Sequence, residues 1–191
     1  MERKYYEKVS GERCYLSPLR IDDAPTYVGW LSDPEIAINL LMAQKILTVP
    51  AERDVLEGLS RSNEVLAIIA REDEDTLIGN CGLHKVNHYD RHAECGIFIG
   101  DKRYWNRGYG TEALTLLIDF AFSVLNLRNV LLEVFDYNQR AMKCYEKVGF
   151  KEIGRRRKAR TIGGSTYDVL YMDIIAEEFE HPYHIDRFID G

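Results

Sequence analysis

Apolar positions along this chain follow two rhythms. Short apolar or alternating runs mark strands at Cys14–Arg20, Val65–Ala70, Thr76–Val86, Ala93–Ile99 and Val130–Phe135. Between them lie helix signals. Asp22-Asp23 offers an N-cap for a short helix ending near Leu31, and Ser32-Asp33-Pro34 stops it and opens another. Thr48 caps a third helix, with Pro50 in its first turn and Glu52 close behind. Glu72-Asp73-Glu74-Asp75 is a charged turn and Asn87 to Arg91 a polar one. A helix over Thr111–Leu125 and a second from Asn138 to Val148 follow, Gly149 standing where a C-cap is expected. Two last strands, near Phe150–Arg157 and Thr166–Ile174, meet at a turn around Gly163-Gly164.

The helix Thr111–Leu125 decides the architecture. Its polar residues Thr111, Thr115, Asp119 and Ser123 form one narrow stripe, and the rest is nearly all apolar. Such a helix is buried on most sides against a sheet. With helices bunched early and late around a central antiparallel meander, the expected fold is α+β and not a doubly wound sheet.

Composition narrows the class. The 191 residues are most simply one domain, taken as 1–178, followed by an aromatic tail over 179–191 with Phe179, Tyr183, His184 and Phe188. That tail can dock on the body or on a second subunit in a homodimer. Apolar residues at 46% and charged ones at 29% are ordinary for a globular protein. Cys14, Cys81, Cys95 and Cys144 form no C-x-x-C, and three lie in apolar runs, so buried free thiols are expected and neither disulfides nor a metal site. A net charge of −6 argues against nucleic-acid binding and suits a cationic substrate, and the basic run Arg155-Arg156-Arg157-Lys158 reads as a solvated strand. The N-terminus lacks the apolar core of a signal peptide and no segment is long enough to span a bilayer, so a cytoplasmic protein is expected.

The chemistry concentrates in Arg103-Tyr104-Trp105-Asn106-Arg107-Gly108-Tyr109-Gly110-Thr111-Glu112-Ala113, between a strand and a helix start. A strand, a basic glycine-containing loop and a helix N-terminus together make an anion site, since unpaired N–H groups and the helix dipole both favour negative charge. Gly108 and Gly110 allow close approach to the main chain, and Arg103 and Arg107 add charges suited to a phosphate or pyrophosphate. The Rossmann spacing meets Ala113 at its third glycine and no βαβ unit opens the chain, while a P-loop lacks its Gly-Lys-Ser/Thr.

Three segments carry a family resemblance: Ala93-Glu94-Cys95-Gly96-Ile97-Phe98-Ile99, Trp105-Asn106-Arg107-Gly108-Tyr109-Gly110-Thr111-Glu112-Ala113, and Asn138-Gln139-Arg140-Ala141-Met142-Lys143-Cys144-Tyr145-Glu146-Lys147-Val148-Gly149-Phe150. In this order the chain resembles the GNAT superfamily of N-acetyltransferases, in the branch of ribosomal-protein N-terminal acetyltransferases and spermidine acetyltransferases. The likeness runs from about Cys14 to Glu178. It departs at Trp105, where the superfamily signature begins with Gln or Arg, so no role is carried to that residue.

The resemblance implies a mostly antiparallel central sheet flanked by helices, with the strand Glu94–Gly100 splaying from Val130–Phe135 to admit acetyl-CoA, the acetyl donor. Its pantetheine would pair with the strand at Phe98 and Ile99, and the amides of Arg107, Gly108, Tyr109, Gly110 and Thr111, with Arg103 and Asn106 beside them, would cradle the pyrophosphate. Asn138 would hydrogen-bond the pantetheine, or be a plain N-cap. Tyr145 would be the general acid for the leaving thiolate, or a core tyrosine. Glu94 is the expected base for the protonated amine; Glu133 or a water is its rival, and an ion pair to Arg91 or another rim cation its structural alternative. His84, His88 and His92 read as a polar rim, since their spacing is irregular and no metal is expected.

The expected activity is direct transfer of acetyl to a primary amine, the acceptor being a protein N-terminus or a polyamine or other small amine. The alternative is a coenzyme-A-binding module of the same fold that has lost catalysis; Asn138, Tyr145 and a strand carboxylate speak against it.

Overall fold

The computed structural model describes residues 4–40, 42–62 and 64–180. Its strands are β1 (Val9–Ser10), β2 (Cys14–Pro18), β3 (Val65–Ala70), β4 (Thr76–Asn87), β5 (His92–Ile99), β6 (Asn129–Phe135), β7 (Lys151–Ile162) and β8 (Ser165–Ile175). The helices are α1 (Ala24–Leu31), α2 (Pro34–Ala37), α3 (Val49–Ser62), α4 (Glu72–Asp75), α5 (Tyr109–Ser123) and α6 (Gln139–Val148). The eight strands form a mixed sheet in the order β1-β2-β3-β4-β5-β6-β8-β7. With its helices this is the expected α+β fold.

Contacts divide the chain into two interleaved units, one of residues 1–82 and 97–113, the other of residues 83–96 and 114–191. In the first, β2 pairs antiparallel with β1 and β3, and β3 with β4. Tyr15, Tyr27, Leu31, Leu56, Val65, Ala67, Ile69 and Leu77 cluster as its core. Each Leu, Ile or Val side chain among them contributes about 1.5–3 kcal/mol on burial. In the second unit β5 pairs parallel with β6, and only over His92↔Asn129, Ala93↔Val130 and Glu94↔Leu131. The antiparallel β6–β8 ladder instead runs the full length of β6, from Asn129↔Ile175 to Phe135↔Val169.

The sequence reading holds in outline and shifts at some ends. α5 starts at Tyr109, two residues before the expected Thr111, because the Glu112 amide already reaches the Gly108 carbonyl at 3.0 Å. The charged turn closes as the single-turn α4, whose Glu74 and Asp75 take left-handed φ of 58° and 59°. β7 continues past Arg157 to Ile162 and lies at the sheet edge, where an exposed basic run is tolerated and hinders pairing with another chain. The short β1 was not anticipated. Cys14, Cys81 and Cys95 are buried and Cys144 is half-buried, all as free thiols. Phe179 packs on Phe122 with ring centroids 5.7 Å apart, whereas Tyr183, His184 and Phe188 lie outside the described residues. Among the described residues no helix is long and apolar enough to cross a membrane.

Candidate active site

The anion loop belongs to the first unit. After β5 the Asp101 carboxylate caps a short turn, accepting the Arg103 amide at 3.0 Å. Asn106 and Gly108 then adopt left-handed φ of 57° and 88°, and α5 begins at once. The first N–H groups of a helix have no acceptor within it, so this turn presents donors and the positive end of the dipole together. Glycine at 108 is favoured above all by its backbone angle. A β-carbon there would be strained by the backbone angle, and would stand 3.3 Å from Nη1 of Arg13.

Contacts distant in sequence hold the loop. Arg13 Nη1 donates to the Arg107 carbonyl at 2.7 Å, and Oε1 of Glu112 accepts the amides of Arg13 (2.8 Å) and Cys14 (3.3 Å). Trp105, to which sequence comparison gave no role, donates its indole N–H to the Ile99 carbonyl at 2.8 Å. Any backbone pairing by a ligand at Ile99 shares that carbonyl with the indole. Phe98 sits in an aromatic group, its ring 6.1 Å from Tyr27 and 6.2 Å from Trp30.

The loop's charges are already paired. Arg103 meets Asp101 at 2.7 Å, and Arg107 meets Glu72 of α4 at 2.9 Å while lying over the rings of Tyr104 and Tyr109. Burial and then a hydrogen bond to Glu72 push the Tyr109 phenol up to about 12. The backbone is thus shaped for an anion, but each arginine has a carboxylate with which an anion must compete.

The second unit carries the expected acid and base. Glu94 lies on β5 in the last of the three parallel pairs with β6, its side chain 33% exposed. Its partner is Lys85, at 2.8 Å, while Arg91 donates to the Asn126 carbonyl. The Lys85 ammonium is held above its ordinary range by that hydrogen bond and by the charges of Glu94 and Glu133. Glu133, expected inside an apolar strand, is exposed on β6. Among the described residues no group of three or more His, Cys, Asp or Glu is placed to hold a metal ion.

Asn138 is the N-cap of α6, its Oδ1 accepting the Ala141 amide at 3.2 Å. The plain-cap reading is therefore correct as far as it goes. It uses the amide oxygen and leaves Nδ2 without a partner among the described residues. α6 ends at Gly149, left-handed at φ 110°, whose amide reaches the Glu146 and Tyr145 carbonyls. Two turns after the cap, Tyr145 is 8% exposed, its ring 6.1 Å from that of Phe150. Its hydroxyl makes no hydrogen bond among the described residues. Burial, helped by neighbouring Cys95 and Cys144, raises the phenol well above its ordinary value, so it is protonated throughout the physiological range. Packing in the core and carrying a protonated phenol are thus compatible in Tyr145.

Comparison with known proteins gives the family and the fold. A family model described as acetyltransferase (GNAT) domain matches residues 13–151. A probable N-acetyltransferase of Bacillus subtilis, YjcK, is 29% identical over 182 residues, covering 90% of this chain and 99% of its own. The spermidine N(1)-acetyltransferase of Escherichia coli K12 is 35% identical over 109 residues, 57% of this chain and 56% of its own. Among solved structures, a spermidine N-acetyltransferase from Vibrio cholerae in complex with CoA and spermine superposes with a TM-score of 0.77 at 22% identity, covering 88% of this chain and 98% of that one. At that identity the likeness concerns the fold.

Proposed function

The chain belongs to the acetyltransferase (GNAT) family and is an N-acetyltransferase, and from that premise we propose that it moves acetyl from acetyl-CoA directly to a primary amine. The donor supplies a thioester carbonyl and a thiol leaving group; the protein's residues bind it and manage two protons. Loop amides from Arg107 to Thr111 take the pyrophosphate, with Arg103 and Asn106 at the rim and Arg107 exchanging Glu72 for phosphate. The strand at Phe98 and Ile99 pairs with the pantetheine, and Nδ2 of Asn138, unengaged among the described residues, donates to it. Glu94 takes the proton that the ammonium form of the acceptor must lose before attack, with Lys85 fixing the carboxylate in place. Tyr145 gives a proton to the departing sulfur.

One observation carries the reading: Tyr145 is a buried phenol, held protonated, whose hydroxyl no residue among those described engages. A tyrosine kept only for packing has no need of that hydroxyl. The acceptor is a protein N-terminus or a polyamine or other small amine. The spermidine acetyltransferases among the relatives support the amine class, and the net charge of −6 suits a cation. The test is thiol release from acetyl-CoA across N-terminal peptides, polyamines and small monoamines. Release dependent on an amine supports the transfer, and its absence with every amine removes it.

A further inference from the structure

The far part of β7 holds a cation that the transfer reaction leaves unused. Arg155, Arg156, Arg157 and Lys158 are exposed, but Arg160 is 8% exposed. The change of side follows from a bulge: the β7–β8 register skips between Arg156↔Val169 and Arg160↔Tyr167, with Lys158 at a left-handed φ of 52°. The Arg160 guanidinium lies 5.3 Å above the Phe135 ring. Phe135 stacks on Tyr137 at 5.2 Å, and Tyr137 meets Tyr167 edge-on at 4.8 Å. The Tyr137 hydroxyl accepts a hydrogen bond from Arg160.

Among the described residues Arg160 has no carboxylate partner. Its Nε is buried without an acceptor among the described residues, and Oδ1 of Asp136, the residue after Phe135, is likewise buried and unpaired, so the two do not serve each other. Asp168 is committed to the Lys158 amide at 2.7 Å and to Arg155 at 3.6 Å. A guanidinium cannot shed its proton as a buried lysine can. Buried without a carboxylate among the described residues, its charge is destabilising, and the facing ring and the Tyr137 hydroxyl offset only part of that cost.

We infer that Arg160, with the rings of Phe135, Tyr137 and Tyr167, forms a subsite for a carboxylate carried by the acceptor amine. The guanidinium fork matches a carboxylate in two parallel hydrogen bonds, and the three rings give an apolar wall for whatever joins the acid to the amine. The subsite leads along the chain directly into Asn138, the cap of the helix that carries Tyr145. This rests on the acetyltransferase reading for the word acceptor, and narrows that class. An amine that is also an acid is favoured, and a bare polyamine, which would set cation against cation, is not.

The experiment is calorimetry on the full chain with amino acids paired with their decarboxylated amines, such as phenylalanine with phenethylamine and leucine with isoamylamine. Wild type should bind the acid-bearing member about tenfold or more tightly. Arg160→Met should erase that preference and raise the melting temperature, because it removes an uncompensated charge from a site that otherwise packs well. Arg160→Lys, which keeps charge but loses the fork, should retain only part of the preference. Equal affinity within every pair, or no binding by any acid-bearing member, overturns the subsite, whether or not the variants fold. A lower melting temperature in Arg160→Met with the preference intact overturns it as well. Thiol release measured on the same compounds separates the two readings. Equal turnover within pairs removes the subsite and leaves the transferase, whereas calorimetric preference with no turnover of any amine leaves the subsite and removes the transfer.

Discussion

The ammonium of Lys85 stands 2.8 Å from Oε1 of Glu94, and Glu133 adds to the field on the same ammonium. A proposed proton acceptor thus has a fixed cationic neighbour at the half-exposed end of the short β5–β6 ladder. Such a contact orients the carboxylate, and an exposed pair of this kind adds little to stability.

Glu94→Gln should therefore leave the melting temperature nearly unchanged and lower kcat/KM most at neutral pH, where the acceptor is almost all protonated. The deficit should shrink as pH approaches the amine's own pKa, because solution then supplies free amine. Profiles of kcat/KM against pH for wild type and variant, with one acceptor, decide the matter. Parallel profiles would move the proton to Glu133 or to a water.

Tyr145→Phe keeps the ring against Phe150 and deletes a hydroxyl that has no partner among the described residues. Stability at neutral pH should change by less than about 1 kcal/mol, while kcat falls on the order of 10²-fold with donor affinity preserved. The same variant has a signature in alkali. Burial raises the folded phenol above its unfolded value of about 10, so its contribution is fully present below that pH and is lost as pH rises through the folded value. Denaturant melts between roughly pH 9 and 11 should accordingly fall less steeply for Tyr145→Phe than for wild type. Unchanged turnover would return this tyrosine to the core alone.

A phosphate at Arg107 would compete with Glu72, their pair being 2.9 Å apart and about half-exposed. Glu72→Gln should tighten acetyl-CoA binding by roughly twofold to fivefold, the equivalent of one exposed ion pair, with the gain shrinking at high salt. Titrations at two ionic strengths read this directly. No gain at low salt would place the Arg107 side chain off the phosphate.

Gly108→Ala forces a side chain onto a φ of 88° and sets its β-carbon 3.3 Å from the Arg13 guanidinium. A loss of about 1 kcal/mol of stability is expected, with donor affinity falling by about tenfold as the first turn of α5 shifts. Calorimetry on the folded variant checks it, and full affinity would take the loop out of the donor site.

The parts legible in the sequence are those whose cause is local. Gly149 announces a C-cap and Asn138 an N-cap because such signals act within a few residues, and Gly108 marks the turn for the same reason. The polar stripe of α5 correctly foretold a helix buried around most of its surface, although Asp119, on that stripe, is itself 4% exposed. What stayed hidden depends on register. Lys85 meets Glu94 through strand placement, and Arg160 turns inward because one residue of β8 opposes three of β7, a bulge that no composition signals. Trp105 was opaque because its target, the Ile99 carbonyl, is a backbone atom.

Oε1 of Glu112 accepts from the amide of Arg13, 99 residues earlier in the chain. At roughly 5–20 residues per second of synthesis, the start of β2 is made about 5–20 seconds before its acceptor exists. The proposed donor loop and the segment that steadies it are therefore separated in time as well as in sequence. Closing so long a loop adds little to the equilibrium cost, which grows only with the logarithm of length, but it is slow. A nascent chain halted before Glu112 cannot make this tie, which leaves the amides of Arg13 and Cys14 open to hydrogen exchange. The tie that steadies the proposed donor loop is thus a late event in the life of the polypeptide.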